Sequence, residues 1–131
     1  MSLALASCAR PKTMTSDELR SDIRSALSLA AETKLFIEQM QNDGGTRAFA
    51  AGHLGYLRDE ALRSAKELRE SQSNAAMAPR VGICAAQLDL LAREIAVLQD
   101  KVKADGTHAL SASKARLEEI HDALTRLETA L

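Results

Sequence analysis

VGICAAQLDLLAREIAVLQDKV occupies residues 81–102, and its apolar side chains recur in steps of three and four. Val81, Cys84, Leu88, Leu91, Ile95, Leu98 and Val102 share one face of a helix at 3.6 residues per turn, with Met77 one step ahead. A stripe of this kind must bury itself against partners. The reading therefore turns on whether the rest of the chain supplies matching stripes.

Three more are present. The first runs Leu19, Ile23, Ala26, Ala30, Thr33, Ile37 and Met40, in a helix expected over 16–42. Ser16 is read as its cap, with Asp17 and Glu18 complementing the helix dipole, and Asn42-Asp43-Gly44-Gly45 as its stop. The second, expected over 47–72 after Thr46, runs Ala50, Leu54, Leu57, Ala61, Ser64 and Leu68 and dissolves in Ser71-Gln72-Ser73-Asn74. Pro79 suits the first turn of the third helix, expected over 79–104, and Asp105-Gly106 breaks it. Thr107 is read as capping a fourth helix over 108–130, with stripe Leu110, Ser113, Leu117, Ile120, Leu124, Leu127 and Leu131. At 1.5 Å per residue each helix is about 35–42 Å long. Matched helices joined by short turns predict an all-α, antiparallel up-down-up-down four-helix bundle over 15–131, preceded by residues 1–14 as a signal-peptide remnant or flexible tether.

Composition agrees. A chain of 131 residues is one ordinary domain, long enough for a core without metal or disulfide staples. It carries two Pro and six Gly, and is otherwise rich in strong helix formers. Seventeen Lys and Arg against eighteen Asp and Glu leave a net charge of -1, with the signs interspersed, so nothing steers the chain toward nucleic acid. Aromatic residues make up 2% and Trp is absent, which removes the usual stacking platforms for bases. No apolar run is long enough to span a bilayer.

Leu5-Ala6-Ser7-Cys8 has an aliphatic residue, two small residues and a cysteine in that order. It resembles the box that ends the signal peptide of bacterial lipoproteins. The resemblance covers these four positions; only Leu3, Ala4 and Leu5 stand where an apolar h-region of about 7–15 residues belongs. It implies lipidation of Cys8, a bacterial-envelope location, periplasmic or membrane-anchored, and Ala9-Arg10-Pro11-Lys12-Thr13 as the tether. A cytoplasmic location is the alternative.

Few residues carry chemistry. Cys84 lies on the third stripe, where a free thiol behaves as a small hydrophobe, and a Cys8–Cys84 disulfide is not expected. Glu118-Glu119-Ile120-His121 contains one Glu-x-x-His, the spacing that di-iron bundles use twice together with further inward carboxylates. With Leu117 and Ile120 inward, Glu118 falls outside. His53 lacks the flanking pattern of phosphotransfer histidines; Gly52 and Gly55 beside it cost about 1 kcal/mol each in a helix and point to a close approach or a bend. His108 reads as a solvated loop residue. No haem-attachment, phosphate-loop or nucleophile-elbow motif is present. No pair of titratable residues falls on an inner stripe, so the core offers no chemistry.

Two lines do not fit the inner stripes. Ile83, Leu90 and Val97 recur every seven residues on the third helix, and Phe49 and Tyr56 do so on the second. Either the helices rotate and bury both lines, or the lines join into one continuous apolar surface for a protein partner or a second copy. The expected function is a non-catalytic, cofactor-free interaction module. The alternative is a small metal- or ligand-binding bundle using His53, His121 and neighbouring carboxylates.

Overall fold

The computed structural model of the chain describes residues 13–43, 45–105 and 110–131. Among them are four helices and no strand: α1 Ser16–Asp43, α2 Arg47–Glu70, α3 Ala78–Asp105 and α4 Ser111–Thr129. The helices pack as a bundle around one core. Each packs on its neighbour in sequence, α4 packs on α1, and α1 also reaches α3 across the middle.

Local sequence explains the starts of α1 and α2. Thr15, not Ser16, caps α1: its hydroxyl accepts from the Glu18 N–H at 3.1 Å, while the Glu18 carboxylate accepts from the Thr15 N–H at 3.2 Å. Two orphan donors of the first turn are thereby satisfied reciprocally. The Ser16 hydroxyl points instead at Met77 Sδ, 3.8 Å away. Thr46 caps α2 by accepting from the Phe49 N–H at 3.2 Å. α4 starts at Ser111, later than expected, with Leu110 at the cap position and no side-chain cap. Thr107 and His108 lie outside the described residues.

Met14 packs onto the bundle. Met14 is buried and its N–H donates to Gln72 O at 2.7 Å, pinning the entry to α1 against the α2–α3 connection. The flexible thioether fills the space at that end.

All members of the first and third stripes are buried, including Met77 and Thr33, whose hydroxyl donates to Leu29 O at 2.8 Å. On α2 the stripe shifts by one residue: Ala65 is buried and Ser64 lines a small groove with Asp22, Ser25 and Glu67. On α4 the stripe is buried from Leu110 to Leu127, and Leu131 is half-buried.

The α2–α3 pair is the closest-packed. Ala51, Gly55, Ala61 and Ala65 on α2, with Ala85 and Ala92 on α3, keep side chains small and let the backbones approach. Gly55 has a specific role. A Cβ there would stand 3.0 Å from Gln99 Nε2, the nitrogen that donates to Ala51 O at 2.8 Å. Gln99 Oε1 then accepts from Arg58 at 2.8 Å, so one amide of α3 is held at two points by α2. Nothing lies within 4 Å of a Cβ built on Gly52, so no close approach requires that glycine.

No inner stripe carries a pair of titratable residues, but one carboxylate is buried beside the third stripe. Glu94 on α3 is buried, and its Oε2 accepts from Arg116 Nε of α4 at 2.7 Å. Its Oε1 and the Ser113 hydroxyl are buried without a hydrogen-bond partner. Glu94 sits one position before Ile95, on the side of the stripe that turns toward α4, where the long Arg116 side chain covers it.

Two stability tests follow from this packing. Leu91 is fully buried, so Leu91→Ala is expected to cost about 2–5 kcal/mol, whereas the exposed Glu119→Ala costs well under about 1 kcal/mol. Equal losses in denaturant melts would mean that the helix phase is wrong. At the α3–α4 contact, Glu94→Met keeps stability within about 1 kcal/mol, because an apolar side chain replaces a half-satisfied buried carboxylate. Arg116→Ala strands that carboxylate and lowers the denaturant midpoint further than Glu94→Met; the reverse ranking would show the carboxylate to be solvated.

Candidate functional site

On α2, Phe49, His53 and Tyr56 stand at positions i, i+4 and i+7, which one side of a helix carries together. On α1, Glu32 and Phe36 are one turn apart and face them. Phe36 precedes the core residue Ile37 and is half-buried against the core, so its ring lies at the rim of the α1–α2 contact. Its centroid is 4.4 Å from His53 and 6.2 Å from Phe49. His53 stacks on Phe49 at 6.3 Å with 9° between planes, and on Tyr56 at 6.2 Å with 27°. Glu32 Oε1 is 3.8 Å from His53 Nε2.

The chain has two Phe, one Tyr and no Trp, so this edge gathers all its aromatic side chains around one histidine. Phe49 and Tyr56 remain 63% and 58% exposed. Aromatic rings are the side chains that dominate protein–protein contact energies, because they present large rigid apolar areas at low entropy cost. Sequence reasoning found Phe49, Tyr56 and His53 but not Phe36. The Phe36–His53 contact depends on the register between two helices, which no local pattern encodes.

The other line is exposed as well: Ile83, Leu90 and Val97 are 47%, 44% and 40% accessible. Burial in a wider core therefore does not occur. The two lines do not merge into one surface either. The groove between α2 and α3, about 380 Å³, is lined by Arg58, Leu62, Asp89, Ala92, Arg93 and Ala96, and by none of the five residues of the two lines. At 100° per residue, Tyr56 lies roughly 120° around α2 from Leu62, on the side that faces α1. The chain thus has two separate apolar faces.

The titratable candidates are scattered. Glu118 and His121 line a groove of about 430 Å³ between α1 and α4. Glu118 is engaged by Lys34 of α1, whose hydrogen bond and charge hold the carboxyl below its ordinary range and the ammonium above its own. His121 is exposed and makes no bond to Glu118. His53 stands on the aromatic edge, on another side of the bundle. Among the described residues, no group of three or more His, Cys, Asp or Glu side chains is placed to hold a metal ion.

Cys84 is fully buried, and burial, with the Asp22 carboxylate adding to it, pushes the thiol up to about 12. It is held as the neutral thiol, which is neither a nucleophile nor a metal ligand. Cys8 lies outside the described residues. No described helix is long and apolar enough to cross a membrane.

Compared with known proteins, the chain matches no family model, no curated protein and no solved structure.

Proposed function

We propose that this chain is a non-catalytic, antiparallel up-down-up-down helical bundle that works by offering the α1–α2 aromatic edge to a protein partner. The single observation that carries this reading is the gathering of Phe36, Phe49, His53 and Tyr56 on one accessible edge. A domain that exposes its largest rings while filling its core with aliphatic side chains has spent scarce contact surface on the outside. The topology is supported by cross-helix pairs. Arg24–Glu128 and Lys34–Glu118 run in opposite senses along α1 and α4, as do Ala51–Gln99 and Arg69–Asp89 along α2 and α3.

The proposed address is the bacterial envelope, with a lipid on Cys8 as the only membrane attachment; its support is the Leu5-Ala6-Ser7-Cys8 order. The alternative of a metal- or ligand-binding bundle draws less support, since His53 and His121 stand on different sides and each meets a single carboxylate or none.

A photocrosslinking side chain substituted at Tyr56 is expected to give a discrete protein adduct in cells, and the same group at Glu119 none. Phe49→Ser with Tyr56→Ser should abolish binding of the partner so identified, while each change moves stability by no more than about 0.5 kcal/mol, as is usual for exposed positions. Identical adducts from both positions would sink the reading. For the address, the complete gene expressed in a Gram-negative host should yield a diacylglyceryl adduct on Cys8 as the new N-terminus by mass spectrometry. An unprocessed product, or cleavage elsewhere, overturns lipidation.

A further inference from the structure

The second apolar face has features that single out its occupant. Ile83, Leu90 and Val97 are the exposed large hydrophobic residues of α3. They are three of the seven exposed large hydrophobic residues among those described; the other four, Leu35, Phe49, Tyr56 and Leu62, lie on α1 and α2. A seven-residue spacing drifts only about 20° per repeat on a straight helix, so the line stays within one band that a second helix can follow.

The line is symmetric about Leu90. Seven residues before it stands Ile83 and seven after it Val97, each about 10.5 Å along the axis. An antiparallel α3 from a second copy, related by a two-fold axis at Leu90, therefore sets Leu90 on Leu90 and Ile83 on Val97, all aliphatic.

Charge fits the same operator. Asp89 and Arg93 lie on one flank of the line, both lining the α2–α3 groove. Asp89 is about 1.5 Å to one side of the axis and Arg93 about 4.5 Å to the other. Antiparallel pairing brings equal flanks together, so Arg93 of each copy comes within about 3 Å, along the helix axis, of Asp89 of the other. Asp89 is already fixed in place by Arg69 of its own chain. Arg93 is exposed and, among the described residues, has no ion-pair or hydrogen-bond partner in its own chain. A two-fold contact supplies one to each copy.

The area is adequate. α3 has 28 residues, which makes it about 42 Å long. A contact band about 15–20 Å wide along it covers on the order of 600–800 Å² per copy, at the lower to middle range of specific interfaces.

We infer that the outer face of α3 closes an isologous, antiparallel homodimer centred on Leu90 and locked by reciprocal Arg93–Asp89 pairs. The α1–α2 aromatic edge stays open in such a dimer, so this inference stands or falls apart from the function proposed above.

Sedimentation velocity over about 1–100 µM tests it on the full chain. The wild type is expected to dimerise in that range, and Leu90→Glu to weaken association at least tenfold while helicity is retained. Arg93→Asp and Asp89→Arg, each alone, should also be at least tenfold weaker, because each sets like charges against each other. Their equimolar mixture should dimerise again, since it restores one opposite-charge pair at each contact. A wild type that stays monomeric, or a dimer untouched by Leu90→Glu and Arg93→Asp, overturns the inference. So does a mixture of folded charge variants that remains monomeric.

Discussion

The core of this bundle is filled by Leu, Ile, Val, Met and Ala with one Cys, and no aromatic ring is fully buried in it. A core without large rings reaches interior packing density only if the helix backbones come close, since voids forfeit dispersion contacts. That constraint falls hardest on α2 and α3, the closest-packed pair, where Ala51, Gly55, Ala61 and Ala65 of α2 and Ala85 and Ala92 of α3 are all buried. The Gln99 amide occupies the space that a side chain at Gly55 would take, and bonds to Ala51 O and Arg58 there. Once that seam is set, α1 and α4 complete the bundle, joined to each other along their length by Arg24–Glu128 and Lys34–Glu118.

The same economy explains why the interior is chemically quiet. Cys84 is sealed as a neutral thiol, Thr33 returns its proton to its own helix, and Glu94 is covered by Arg116 at the edge of the α3–α4 contact. A buried carboxylate with one satisfied oxygen contributes little to stability.

Rings excluded from the core are left for the surface. Phe36, Phe49 and Tyr56 converge on His53 at the α1–α2 edge, while the aliphatic Ile83, Leu90 and Val97 occupy the outer side of α3. The charged and small residues of the α2–α3 groove lie between the two faces and keep them distinct.

Helix content and phase were legible from residue spacing, because burial of one face imposes a period of 3.6 on each segment independently of the rest. The α3 stripe from Val81 to Val102 is buried throughout, and the outward line of Ile83, Leu90 and Val97 follows from the same phase. A close reading of Thr15-Ser16-Asp17-Glu18 also carries the capping box, a purely local signal. Other features depend on how one helix slides and rotates against another. Met14 seated against the α2–α3 connection, Glu94 under Arg116, Phe36 on His53 and the separation of the two apolar lines all join residues distant in sequence. Periodicity states which side of a helix is buried but not which neighbour covers it or at what height. Only the packed tertiary structure, where the small residues of α2 and α3 set the approach, decides those.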